Sequence, residues 1–519
     1  MRHLNGSPSK RRPVRTAAFA AVATLLVGVP IVTAARLAPA SVSVVEGDLQ
    51  APTSLRVRQT RPNFQAPTAT TCSDTPVLRE VADPSPRSRE QPSVIASGSR
   101  HDSAKERAKE RAEEHKRAAV LERMASPAMP EVLVRPAPPA PMPADLSAVV
   151  EGKRYSTEDV LLRTASPAAS AAIRQEQHTP VTAGVVDDNA DFGGFLQFLQ
   201  GHEEAKQLGR DINVRQRLNV VDAQGRPVPD AEVAVSAGNG ARMWARTDAG
   251  GQVWLHPNAF DDRDSASYQV QVRRAGKTAR ASLQRGQKNT LQVVMADAAV
   301  PSRAKLDLVF MVDATGSMGD EIDKLRASLQ GIVREIGKLP SQPDICLGLV
   351  TYRDRGDEYF VRGWDMTHNV AAFQQVLDGV QANGGGDFPE AMNEAFDHSV
   401  QALNWRGPST TRVLVSLADA PPQMGYPQPR YEQTMLAALG KGIKVFSVAA
   451  SGQDTTGEIV QRQIAQYTGG RFIFLTYKDA ADPSSGPGSE TVHEVNNYSV
   501  DTLDKLVVRL VREELAQLP

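Results

Sequence analysis

The chain has 519 residues, enough for two or three domains at ~150 residues each. Its 59 basic and 60 acidic residues leave a formal net charge of −1, so bulk charge gives no attraction to nucleic acid and no nucleic-acid partner is expected. Only two cysteines occur, Cys72 in a polar stretch and Cys346 in an apolar one; no disulfide between them is expected, and two cysteines do not indicate a redox compartment.

Residues 1–40 carry Arg2, Lys10, Arg11, Arg12, Arg15 and Arg36 and no acidic residue, and residues 17–35 are uncharged and mostly apolar. A signal peptide's apolar core runs ~7–15 residues and a spanning helix needs roughly 17–25, so this length favours an uncleaved single-pass membrane anchor. Ala38-Pro39-Ala40 offers small residues for cleavage, and Gly28 and Pro30 weaken the helix, which keeps a cleaved signal open. Either way the basic end stays in the cytoplasm and the remainder is expected to be exported, at the cell membrane with its C-terminal part outside, or periplasmic or extracellular after cleavage.

Residues 41–180 are dominated by proline, alanine, serine and charged residues without sustained periodicity, and are expected to be a disordered spacer. Arg135–Pro143 is a proline-rich run that favours extended chain. Residues 103–123 have acid–base pairs such as Glu113 with Arg117 at helical spacing but lack an apolar stripe. The spacer is expected to hold the folded part away from the membrane. Residues 181–208 read as a short helical lead-in, with a helix from Phe192 to Leu199 pinned by its aromatics to the next module. The acidic run Asp187–Asp191 is not an EF-hand, because Phe192 and Phe198 stand where that loop needs glycine and glutamate.

From 209 to 298 seven short strand candidates recur between turn signals: Val214–Val221, Ala231–Val235, Met243–Thr247, Val253–Leu255, Tyr268–Arg273, Lys277–Leu283 and Thr290–Val294. This pattern predicts a small antiparallel β-sandwich of about 90 residues. Its Asp222–Ala231 and Thr247–Gly251 phrases resemble carboxypeptidase-regulatory or immunoglobulin-like bacterial modules. No clustered histidines, cysteines or acid–base pair occur there, so a structural or presenting role is expected.

Residues 304–519 alternate strands and helices. Leu306–Val312 is a near-continuous apolar run ending in Asp313-Ala314-Thr315-Gly316-Ser317, followed by helical spacing through Ile336. Ile345–Tyr352 is a second buried strand, Tyr359–Val361 a candidate antiparallel edge strand, and Val370–Val380 a helix. Asn383–Glu390 then leads into a helix through Asn404, Val413–Ala418 is a strand ending at Asp419-Ala420-Pro421-Pro422, and further strands and helices follow to Leu515. The fold class expected is α/β, a doubly wound, mostly parallel sheet covered on both faces, with ligands at the carboxyl ends of its strands.

A carboxylate with two hydroxyls at a strand end, Asp313, Thr315 and Ser317, is a set of hard oxygen donors suited to Mg²⁺, Mn²⁺ or Ca²⁺. Together with Asp387 in Gly384-Gly385-Gly386-Asp387-Phe388-Pro389-Glu390 and Asp419 in Asp-Ala-Pro-Pro, the spacing resembles the metal-ion-dependent adhesion site of von Willebrand factor type A domains across the whole module. The resemblance implies that Thr315 and Ser317 bind a divalent ion, Mg²⁺ foremost, directly, and that Asp313 and Asp419 bind it directly or through water. The family's usual pattern is Asp-x-Ser-x-Ser, so Thr315 is a variant that keeps the hydroxyl. The second loop of the family usually offers threonine; Asp387 in its place adds a negative charge that should weaken capture of an acidic partner.

Arg355-Gly356-Asp357 is too short a tripeptide to signify integrin recognition, and Gly384–Gly386 lacks the remainder of any phosphate-binding pattern. His368 and His398 stand alone, and Asp354 and Asp357 are expected to cap their loop. The function expected is an exported, membrane-tethered binding protein, not an enzyme, whose metal-bearing domain mediates metal-dependent protein–protein interaction or adhesion. A structural envelope protein with a vestigial site and a metal-dependent hydrolase are the alternatives.

Overall fold

The computed structural model describes residues 66–84, 180–295, 303–386, 388–427, 429–495 and 498–518. The apolar run 17–35 lies outside these residues, and among the described residues no helix is long and apolar enough to cross a membrane.

Two segments ahead of the modules join the main sheet: β1 (Leu78–Val81) and β2 (Thr182–Val186). Seven strands follow between 209 and 298: β3 (Gln216–Val221), β4 (Glu232–Ala237), β5 (Arg242–Arg246), β6 (Gln252–Leu255), β7 (Ser267–Arg274), β8 (Lys277–Gln284) and β9 (Leu291–Val294). They form a three-stranded sheet β6-β3-β9 and a four-stranded sheet β5-β4-β7-β8; all pairings are antiparallel except β3 with β9. Alternation sets the faces: Val233, Val235, Val270 and Val272 are buried together with Leu218, Val220 and Val253 of the other sheet.

The carboxyl-terminal half supplies β10 (Lys305–Asp313), β11 (Asp344–Tyr352), β12 (Val361–Thr367), β13 (Thr410–Ala418), β14 (Ile443–Ala449), β15 (Arg471–Asp479), β16 (Asp482–Pro487) and β17 (Val500–Thr502). The strand order is β1-β12-β11-β10-β13-β14-β15-β2-β17, with β16 paired to β15. The five inner strands β11, β10, β13, β14 and β15 are parallel, and the antiparallel strands lie at the two margins. The expected mostly parallel, doubly wound sheet is therefore the architecture observed.

Burial on both faces explains the unbroken apolar runs. Along β10, Leu306, Leu308, Phe310 and Val312 pack on one side with helices Gly319–Gly337 and Leu503–Leu515. Val309 and Met311 pack on the other with helices Met392–Gln401, Tyr431–Lys441 and Thr455–Tyr467, and the β-sandwich joins this second core. The one charged residue inside the run, Asp307, is fully buried and held by the Arg406 guanidinium at 2.6 Å and the Arg406 amide at 2.7 Å.

The sandwich docks at the amino-terminal ends of the parallel strands. Asp230 accepts from Arg412 Nη1 at 2.9 Å, Arg246 Nη1 at 3.2 Å and the Ser409 amide at 2.8 Å, while Lys444 lies between Asp248 (3.4 Å) and Glu514. The sandwich thus stands at the pole opposite the Asp313 loop.

Four expectations need correction. Cys72 and Cys346 are joined by a disulfide, with Cα atoms 6.0 Å apart; fold topology, not local polarity, brings them together. Residues 66–84, assigned to the spacer, run along the sheet margin and contribute β1. The lead-in from 181 opens with a sheet strand, β2, before its helix Phe192–Gly201. The antiparallel strand beside β11 is Val361–Thr367 rather than Tyr359–Val361, and β1 rather than β12 forms the margin.

A candidate metal centre at the carboxyl ends of the strands

Three loops meet where the parallel strands end. Because β10 pairs in parallel register with β11 and with β13, Asp313 stands beside Tyr352 and close to the end of β13, where Asp419 follows. Backbone hydrogen bonds then tie the loops together. The Gly316 amide donates to Gly384 O at 3.1 Å and the Asn383 amide to Ala314 O at 3.0 Å, joining the first loop to the second. The Glu390 amide donates to Pro421 O at 3.1 Å and the Gln423 amide to Glu390 O at 2.7 Å, joining the second to the third.

Glycines make the close approach possible. Gly384 and Gly385 have φ of +79° and +69°, and a Cβ on Gly385 would lie 2.8 Å from Thr315 Cβ and 3.0 Å from Glu390 Oε1. Asp357 fastens this loop from the side, accepting from the Gly385 amide at 2.9 Å and the Asp354 amide at 3.1 Å, so its carboxylate acts as the expected loop cap. Asp354 accepts from the Tyr426 hydroxyl at 2.9 Å.

The side chains of Asp313, Thr315 and Ser317 form one hydrogen-bonded series, with the Asp419 carboxylate beside it. Asp313 Oδ1 accepts from the Thr315 amide at 3.0 Å and its hydroxyl at 2.7 Å, and the Thr315 and Ser317 hydroxyls are 3.1 Å apart; Asp419, already raised by burial, stands close enough for Asp313 to raise its carboxyl further and for Ser317 to temper that rise. Four of the five residues expected at the site are therefore brought together. The fifth, Asp387, lies outside the described residues. Among the described residues no group of three or more His, Cys, Asp or Glu side chains is arranged to hold a metal ion; the donor set on view is two aspartates with two hydroxyls.

Four buried oxygens there have no hydrogen-bond partner among the described residues: Asp313 Oδ2, Asp419 Oδ1, Glu390 Oε2 and the Tyr352 hydroxyl, which lies among these carboxylates. Buried carboxylate oxygens are costly to leave unsatisfied. Burial raises the Asp313 carboxyl to about 6 against the pull of the Thr315 hydrogen bonds, and burial followed by repulsion from Asp313 drives Asp419 well above the carboxylate range. Glu390 is pushed up to about 10, by burial first and then by Asp313, Asp354 and Asp419. Orphaned hard oxygens that repel one another are the donor chemistry a divalent cation would satisfy, so these residues fit such an ion. Glu390 joins these carboxylates although the sequence did not single it out for this centre.

The lone histidines are not part of this centre: His398 is buried under β12 against Gly363, and His368 meets Asp74 at 2.9 Å on the surface. A cavity of about 320 Å³ opens far from the loops, at the sandwich junction lined by Asp230, Arg246, Arg412, Lys444 and Glu514; the basic and acidic groups there are already paired with each other.

Residues 307–432 match the family model described as the von Willebrand factor A domain. A segment of 136 residues is 26% identical to the alpha-protein kinase vwkA of Dictyostelium discoideum, covering 26% of this chain and 21% of that protein. One of 121 residues is 31% identical to the ariadne-like RING finger protein R811 of Acanthamoeba polyphaga mimivirus, covering 23% of this chain and 12% of that protein. The chain thus spans a minor part of both relatives. Among solved structures, the pilus adhesin SpaC of Lactobacillus rhamnosus GG in its open conformation aligns over 39% of this chain and 29% of its own, at 14% identity and a TM-score of 0.24. The conserved hypothetical protein BatB of Bacteroides thetaiotaomicron aligns over 41% of this chain and 98% of its own, at 13% identity and a TM-score of 0.27.

Proposed function

We propose that this chain is an exported binding protein whose carboxyl-terminal domain holds a divalent cation, Mg²⁺ foremost, and engages a protein partner at that ion, with the β-sandwich as a supporting neck. The match of residues 307–432 to the von Willebrand factor A domain fits a protein-interaction role in general. The observation that carries the metal is the convergence of Asp313, Thr315, Ser317 and Asp419 with partnerless buried oxygens on Asp313, Asp419 and Glu390. Asp313, Thr315, Ser317 and Asp419 would hold the ion, and Asp387, three residues before Glu390 in sequence, is the further expected ligand. A bound cation would supply a Lewis-acidic position open to an oxygen donor from a partner.

The chain's own residues do the remainder. Thr315 orients Asp313 through its hydroxyl, which in turn meets that of Ser317, and the Gly384–Gly385 backbone closes over Thr315 to shelter the site. Binding, rather than turnover, is the role proposed, in keeping with the match of residues 307–432 to the von Willebrand factor A domain. Export, with the amino-terminal run 17–35 at the membrane, is supported by the basic cluster before that run and by the Cys72–Cys346 disulfide, since such bonds persist in oxidising compartments.

Equilibrium dialysis or calorimetry with Mg²⁺ and Mn²⁺ on wild type and Asp313→Ala tests the metal, and partner capture from the cell surface with and without chelator tests the role. Saturable binding lost in Asp313→Ala supports the proposal; equal binding by the two proteins, or capture indifferent to chelator, defeats it.

A further inference from the structure

Residues 66–84 form a strap along the sheet margin that is fastened at several points. The Gly407 amide donates to Ala69 O at 2.7 Å, the Ser73 amide to Met366 O at 3.0 Å and the Thr367 hydroxyl to Ser73 O at 2.7 Å. β1 then pairs with β12 from Leu78 opposite Trp364 to Val81 opposite Val361, flanked by Arg79–Asp365 at 2.7 Å and Glu80–Arg362 at 2.6 Å. At its far end Asp83 Oδ2 accepts from the Gly356 amide at 2.8 Å. That turn holds Asp357, which holds the Gly385 amide, and Gly385 lies over Thr315.

Four rungs of a partly exposed marginal strand, with a solvent-facing Glu80–Arg362 pair and an Arg79 that reaches a buried Asp365 from a side chain 40% exposed, make only a modest non-covalent hold. The covalent fastening is Cys72 to Cys346. Cys346 is fully buried in β11, whereas Cys72 is only partly buried against the core, so Cys72 carries the more approachable of the two sulfurs for an incoming thiolate.

We propose that the Cys72–Cys346 disulfide is a redox latch: oxidised, it holds the strap on β12 and, through Asp83, Gly356 and Asp357, keeps the Gly384–Gly385 loop seated over Thr315; reduced, it lets the strap leave and the loop loosen. The opening step takes two electrons from an external dithiol. Its thiolate attacks Cys72 Sγ, the S–S bond breaks, and Cys346 departs as a thiolate that takes up a proton. The second thiol of the reductant then displaces Cys72 as a thiol and leaves the reductant as its own disulfide. The latch concerns the order of this rim and stands apart from the metal reading, so it is measured in chelator.

Amide hydrogen exchange on the full chain is compared between the oxidised protein, the protein after dithiol treatment with both thiols confirmed by alkylation, and Cys72→Ser. The latch is supported if the reduced protein and Cys72→Ser both lose protection over 66–84 and exchange faster at Gly356 and Gly385, while β10 and β13 stay protected. It is overturned if the strap keeps its protection after both thiols are freed, or if the strap opens while Gly356 and Gly385 exchange as before. Should Cys72→Ser not fold, the dithiol-treated wild type, reduced after folding, decides alone.

Discussion

Arg406 and Asp307 form an ion pair in which neither partner reaches solvent: Nε meets Oδ1 at 2.6 Å, with 2% and 0% of the two side chains exposed. Arg406 also donates from Nη2 to Leu306 O at 2.9 Å and Asp344 O at 2.8 Å, tying the starts of β10 and β11 together. Arg406→Met leaves a buried carboxylate without its counter-charge, and such losses cost about 3–5 kcal/mol. Urea unfolding followed by tryptophan fluorescence should show that fall; a midpoint within error of wild type would refute it.

At the proposed metal centre, a ligand present at 100 times its dissociation constant would stabilise the native state by about 2.7 kcal/mol. Mg²⁺ should therefore raise the melting temperature of wild type and leave that of Asp313→Ala unmoved. Glu390→Gln removes a partnerless buried carboxylate and should match or exceed wild-type stability in chelator while gaining less from Mg²⁺. Thermal scans with and without the ion check both variants.

Gly385→Ala puts a methyl group 2.8 Å from Thr315 Cβ in a left-handed backbone position. Strain of about 1–2 kcal/mol is expected, together with a rise of the second loop off Thr315. The measurable outcome is loss of Mg²⁺-induced stabilisation greater than the loss of stability itself, which separates a site effect from general damage.

His256 is fully buried, its ring 4.7 Å from that of Tyr467, and burial, followed by the nearby Arg215, lowers its imidazole to about 3. The unfolded chain takes up this proton near 6.5. Between those pH values the unfolded state holds more protons than the native one, so stability rises with pH across that window and is lost on acidification. Going from pH 7 to pH 4 should cost on the order of a few kcal/mol at this residue. His256→Phe should flatten that part of the pH profile of unfolding free energy; an unchanged slope would rule the residue out.

Asp230→Ala strips the shared partner from Arg246 of the sandwich and Arg412 of β13. A loss of about 3–5 kcal/mol is expected. Because the sandwich then holds the α/β body less firmly, calorimetry should resolve two transitions where wild type shows one.

The parts of this fold visible in the sequence are those whose burial is two-sided or strictly alternating. Val309 and Phe310 face opposite cores, so β10 reads as a continuous apolar run, and Val233 and Val235 read as one face of a sandwich strand. β1, with Leu78 and Glu80 along a half-exposed margin, carries no such signal, and neither does Thr182–Val186, which takes its place only by pairing with β15 and β17. In the site, Asp313, Thr315, Ser317 and Asp419 were legible because strand ends and loop spacing announce them. Glu390 was not, since its role arises from the backbone bonds that draw its loop against Pro421 and from the carboxylates it then faces. Pairing of Cys72 with Cys346 spans 274 residues and leaves no local trace.

That bridge also decides how tension would travel. For an amino terminus held at a membrane, the shortest covalent route for a pull enters at Cys72, crosses to Cys346 and runs up β11 to the loops beside Asp313. The sandwich lies within the covalent ring that this bridge closes, off the shortest covalent path between Cys72 and β11.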